Sequence, residues 1–235
     1  MSRITLALAA VLSFMAFTPL AAQDFEKGLS AAHAGDYATA IQEWTPLAEA
    51  GNVDAQYNLG VSYTNGLGVL QDDAEAVRLY RLAADQGHAR AQFNLGMMYV
   101  NGQGVLQDYA EAVRLYRLAA DQGQARAQYI LGLSYENGKG VLQDYTEAVR
   151  WYRLAADQGQ ARAQTNLGAM YRYGEGVLQD NITAHMWYNI GAANGDELGG
   201  TNREKIAKEM TPADISKAQA MARECMSSNY KNCGY

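Results

Sequence analysis

Three acidic pairs offer the spacing from which acid–base chemistry could start. Asp72 with Glu75, Asp108 with Glu111 and Asp144 with Glu147 each set two carboxylates three residues apart. The same spacing serves a helix start, where an Asp N-cap and a following Glu satisfy exposed amides in a capping box. No His stands close to any pair in sequence, and the fourth copy, Asp180 followed by Thr183, lacks the second carboxylate; helix capping is therefore the reading. Asn65-Gly66-Leu67-Gly68-Val69 has the Gly-x-Gly of a phosphate loop, but no strand signal precedes it, GxGxxG is not completed and Lys-Ser/Thr is absent. His33, His88 and His185 lie far apart, none at metal spacing from a Cys or another His. Ser227-Ser228 belongs to no nucleophile elbow or SxxK sequence. The expectation is no catalytic residue, no metal site and no cofactor.

The two cysteines, Cys225 and Cys233, fall in the last eleven residues of the 235. Whether they pair depends on the compartment. At the other end, Arg3, the apolar run from Ile4 to Phe17 and Pro19-Leu20-Ala21-Ala22 have the order of an export signal, expected over 1-22 and removed after Ala22. No Cys follows the run, so a lipoprotein is not expected, and nothing downstream is apolar enough for a membrane helix. Export leads to an oxidising periplasmic or secreted location, where a Cys225–Cys233 disulfide is expected to pin the tail. The formal net charge of -6 becomes one unit more negative on losing Arg3. A basic nucleic-acid footprint is thus excluded.

The elements that would position any site repeat. Gly51, Gly87, Gly123, Gly159 and Gly195 are each 36 residues apart, the period of a helix-turn-helix solenoid. Four units follow, 52-87, 88-123, 124-159 and 160-195; the second and third share 27 of 36 residues. In the first helix of each unit, Ala55, Leu59 and Tyr63 and their copies form one apolar stripe at i, i+4, i+8. Gly60 and its copies Gly96, Gly132 and Gly168 sit inside that helix, each costing about 1 kcal/mol relative to Ala, which points to close approach of a neighbouring helix. The glycine loop ends the first helix, with Val69 and Leu70 expected to tuck beneath the turn. The second helix presents Ala76, Tyr80, Ala83 and Ala84. The fold class expected is all-α, an α-α superhelical solenoid of helix-turn-helix repeats.

These residues, Ala-x-x-x-Leu-Gly-x-x-Tyr-x-x-Gly-x-Gly-Val-x-x-Asp and then Ala-x-x-x-Tyr-x-x-Ala-Ala-x-x-Gly, resemble the Sel-one-like repeat, a branch of the tetratricopeptide superfamily. The resemblance covers Asn52 to Gly195. Residues 23-51, with Gly35-Asp36-Tyr37, Ala40 and Trp44, look like an N-terminal capping helix pair without the glycine loop. Residues 196-235, where Thr211-Pro212 starts a helix, are expected as C-terminal capping helices with the disulfide-pinned tail.

In that superfamily the first helix of each unit lines the concave surface. The resemblance then places a protein-binding groove along Tyr57, Val61, Phe93, Met97, Tyr129 and Leu133, edged by Arg90, Arg126 and Arg162. Helical geometry agrees, since residues 57, 61 and 64 lie opposite the stripe of 55, 59 and 63. Aromatics rimmed by Arg have the composition of protein–protein hot spots. The resemblance implies an exported bacterial adaptor, expected as a monomer, that binds a protein or peptide partner. Two alternatives stay open: an envelope regulator holding a sensor's periplasmic domain, and a weak β-lactamase-like or penicillin-binding enzyme, as described for cysteine-rich bacterial members. Those members carry paired cysteines inside their repeats, and these repeats contain none.

Overall fold

The structure, a computed structural model, describes residues 24–231, 233 and 234. The expected export signal over 1-22 lies outside the described residues. Twelve helices and no strand occur among the described residues: α1 (Phe25–His33), α2 (Tyr37–Glu49), α3 (Val53–Asn65), α4 (Asp73–Asp85), α5 (Ala89–Asn101), α6 (Tyr109–Asp121), α7 (Ala125–Asn137), α8 (Tyr145–Ala156), α9 (Ala161–Tyr173), α10 (Asn181–Ala193), α11 (Glu197–Ala207) and α12 (Pro212–Ser227). From α1 to α11 each packs on the next, so the chain stacks helix pairs one after another as an all-α solenoid. No described helix is long and apolar enough to cross a membrane.

Local chemistry sets the ends. Asn52 caps α3 by accepting the Ala55 amide at 2.9 Å, and Asp72 caps α4 by accepting the amides of Ala74 and Glu75, both at 3.0 Å. Gly66 closes α3 in the left-handed region at φ 66°, where a side chain would be strained. The capping box is half formed. Glu75 does not reach back to its cap but takes both oxygens to Arg78, at 2.8 and 2.6 Å; a guanidinium one turn away offers two charge-assisted bonds instead of one amide.

The pairs close on small residues and one buried tyrosine. Ala55, Leu59, Ala76, Tyr80 and Ala83 are buried, and the Tyr80 ring lies against Gly60: a Cβ there would come within 2.7 Å of it. The leucine expected under the loop is not there. Leu70, Leu106, Leu142 and Leu178 are each about nine-tenths exposed, while the preceding valine turns partly inward. The loop is short, and with Val69 tucked the next side chain points away from the helices.

Successive units are also joined by buried polar links. Gln128 Nε2 donates to the Ala120 carbonyl at the end of α6 at 3.1 Å, and its Oε1 accepts from Gln158 at the end of α8 at 2.7 Å. Gln56, Gln92 and Gln164 repeat the arrangement, the last accepting from Asn194 at 2.7 Å. After α10 the chain departs from the repeat: α11 folds against α9 and α10, and α12 lies on α10. Cys225 and Cys233, both buried and joined sulfur to sulfur with Cα atoms 4.5 Å apart, bring Tyr230 onto Asn194 at 2.8 Å.

Candidate concave groove

The odd-numbered helices α5, α7, α9 and α11 line a groove of about 1000 Å³. Five residues expected there by sequence reach it: Phe93, Met97, Arg126, Tyr129 and Arg162. Tyr57, Val61, Arg90 and Leu133 are not part of this cavity. Tyr57, on α3, lies one unit before the first helix of the groove and stacks beside His88, ring centroids 4.6 Å apart. Val61 packs partly buried on the core shared by the first and second units. Leu133 turns into the core that holds Tyr152 and Trp187.

The two groove aromatics, and Tyr57 in the same register outside the cavity, are each rooted on the core tyrosine of their own unit. Ring centroids of Tyr57 and Tyr80 are 6.1 Å apart, those of Phe93 and Tyr116 5.6 Å, and those of Tyr129 and Tyr152 6.0 Å. Tilted pairs at such distances hold one another in a fixed orientation, so the aromatic floor is set before anything binds. The guanidinium of Arg126 lies 5.9 Å from the Phe93 ring of the preceding unit, within cation–π reach. Burial pushes the Tyr129 hydroxyl above the ordinary phenol value, with the Arg162 guanidinium working against that rise and Asp196 adding to it.

The aromatic track stops at Thr165, and the structure supplies the reason. Thr165 is buried where α9 and α10 meet α11, and a Cβ on Gly199 would stand 2.9 Å from its Oγ1. A ring at 165 would collide with α11. That helix closes the groove with Asp196, Glu197, Leu198 and Thr201, none of which the repeat pattern predicts there, and Ile130, Gln160 and Asn166 add to the wall. A signal existed in the Gly199-Gly200 pair beside an apolar Leu198 that is 65% exposed, a mark of close backbone approach next to an unburied anchor.

Chemically the arrangement offers apolar contact, two guanidinium groups and two carboxylates. Tyr152 donates to the Glu136 carboxylate and accepts from Asn166 at 3.1 Å; desolvation, with the carboxylate beside it, raises that phenol far beyond its usual range. A phenol so held is a donor, not a base. Among the described residues no three His, Cys, Asp or Glu side chains gather as a metal set.

Comparison with known proteins adds the following. A family model described as Sel1 repeat matches residues 53–88, 89–124, 125–160 and 161–196, each one residue later than the sequence periods. A Sel1 repeat protein from Oxalobacter formigenes is 33% identical, with 88% of this chain and 78% of that one covered and a TM-score of 0.71. A protective antigen present in uropathogenic Escherichia coli strains, displaying an SLR fold, is 34% identical with a TM-score of 0.73; the match covers 90% of this chain and 49% of that one, so this chain spans about half its length. Comparison with curated proteins returns no match.

Proposed function

Since the chain belongs to the Sel1-repeat family, whose members are generally protein–protein interaction scaffolds and typically not enzymes, we propose that it is an exported adaptor that captures a protein or peptide on the concave face of its odd-numbered helices. In this reading 1-22 directs export, 23-51 and 196-235 cap the stack, and the four repeats between them present the groove. The observation that carries the binding face is the preformed floor: Phe93 and Tyr129, each fixed on a buried tyrosine, beneath Arg126 and Arg162 in one cavity. Rigid aromatics lose little conformational entropy on binding, and aromatic and Arg side chains are enriched among the groups that dominate interface energetics. The buried, joined cysteines accord with a location outside the cytoplasm.

The test is affinity capture from an envelope extract of the source organism with the wild type beside Arg126→Glu/Tyr129→Ala, read by mass spectrometry. A partner held by the wild type and lost from the variant supports the groove. Equal retention by both, or retention by neither, counts against it.

A further inference from the structure

Four charges that make no ion pair among the described residues line one cavity. Asp24, Asp36, Asp72, Asp108, Asp144 and Asp180 each cap a helix by accepting backbone amides, but Asp196 stands at the start of α11 and makes no such bond. Arg78, Arg114 and Arg150 are each taken by a glutamate on their own helix, whereas Arg126 and Arg162 make no ion pair among the described residues. Glu197 stands exposed beside Asp196 with no ion pair of its own. These four charges line the groove, acids on the α11 side and guanidinium groups on α9 and α7, together with the apolar surface of Phe93, Tyr129 and Leu198; Arg126 also lies against the Phe93 ring.

Resting on the groove reading above, we propose that the closed end is a polarised peptide site. It takes an extended segment whose cationic group, a free α-ammonium or a Lys or Arg side chain, meets Asp196 and Glu197, and whose carboxylates then meet Arg162 and Arg126 in that order away from α11. Charge complementarity selects this occupant over an anionic one, which the α11 carboxylates repel, and over a purely basic one, which the guanidinium groups repel. Arg126 and Arg162 stand at the starts of α7 and α9, one unit apart, and both helices pack on α8, so the acidic positions of the bound segment are separate along its length.

A phage-displayed library of random twelve-residue peptides with free N-termini tests this against the purified protein. The comparison variants are Asp196→Lys/Glu197→Lys, the neutral Asp196→Asn/Glu197→Gln, Arg126→Glu/Arg162→Glu and Tyr129→Ala, each checked for an unchanged helical circular-dichroism spectrum. The wild type is expected to enrich peptides with a cationic group followed by acidic residues. Reversing the α11 charges should invert preference at the cationic position alone, the neutral pair should erase it, and reversing the arginines should invert the downstream acidic positions; each reversal should weaken the wild-type consensus peptide by about tenfold or more. Peptides that need Tyr129 but show no charge order, or the same order on every variant, overturn the polarity while leaving the groove in place. Enriched peptides indifferent to Tyr129→Ala, or no enrichment at all, overturn the groove reading together with the polarity.

Discussion

A Cβ built on Gly132 would lie 2.6 Å from Cδ1 of Tyr152, so the ring of α8 occupies the space a side chain on α7 would need. Replacing an exposed mid-helix Gly by Ala ordinarily stabilises a helix by about 1 kcal/mol. Here the sign reverses. Tyr152 is fully buried and rooted between Glu136, Asn166 and Tyr129, so the ring has no room to retreat. Gly132→Ala is expected to cost about 1–3 kcal/mol, the range for overpacking a filled core, read as a lowered midpoint in urea unfolding. A raised midpoint would show that the ring is free to shift.

Gln128 gives a second prediction. Its side chain, 4% exposed, serves the Ala120 carbonyl and the Gln158 amide together. Gln128→Leu keeps the approximate volume but leaves the buried Ala120 carbonyl without this bond, which costs about 1–3 kcal/mol, while the exposed Gln158 amide can turn to water. The urea midpoint of this variant should fall by that equivalent, whereas Gln71→Leu on the exposed loop should leave it unchanged.

The glutamine links were invisible in the sequence for a physical reason. A Gln at the second turn of a helix reads as a solvated polar residue, and only the depth of the crossing between units makes it an internal bond. The same sequence displayed Gly60, Tyr80 and the Asp caps plainly, because each acts through its nearest helix partner or its own backbone. The groove was legible as far as the repeats go: Phe93 and Tyr129 are there because helix periodicity puts them opposite Ala91 and Ala127. Its closed end was not, since α11 obeys no repeat and folds in through Gly199, a contact that depends on tertiary packing and carries no period.

Leucines separate cleanly by position. Leu131 is fully buried and Leu142 is 90% exposed, although both are equally apolar in sequence. Leu131→Ala should cost about 2–5 kcal/mol through lost contacts and a cavity. Leu142→Gln should change stability by no more than about 0.5 kcal/mol. Equal effects in thermal melts would contradict the loop orientation.

Acid should weaken the fold through two histidines. Burial lowers His88 below the ordinary imidazole value, with Asp54 opposing, and lowers His185, with Arg203 adding to the effect. His88 Nδ1 accepts the Ala91 amide at 3.1 Å, an acceptor that protonation would remove, and His185 Nδ1 is buried without a hydrogen-bond partner. Because the folded values lie below the unfolded one, near 6.5, the unfolded chain takes protons first as pH falls. The contribution is full above that value and is lost as pH drops through the lowered folded values. Melting temperature is expected to decline from pH 8 to pH 5, and less steeply in His88→Asn, where Asn keeps the cap without titrating. An identical slope in that variant would remove His88 from the account.

Opening the Cys225–Cys233 link should loosen the C-terminal end before the rest. The closed loop is short, with a sequence separation of 8, and chain-entropy arithmetic assigns such a loop about 2–3 kcal/mol. The tail it holds is not idle. Tyr230 bonds Asn194, which itself bonds Gln164, so the last glutamine link ends on a residue that the disulfide positions. In a solenoid each unit is stabilised by its neighbours, and an end that frays transmits the loss only to the unit beside it. Cys225→Ala/Cys233→Ala is therefore expected to speed amide hydrogen exchange in α12 and at the end of α10 while leaving α4 and α6 as slow as in the wild type. Uniform acceleration across all the helices would mean that the tail supports the whole stack as one cooperative unit, and protection unchanged in α12 would mean that the link adds nothing to its packing.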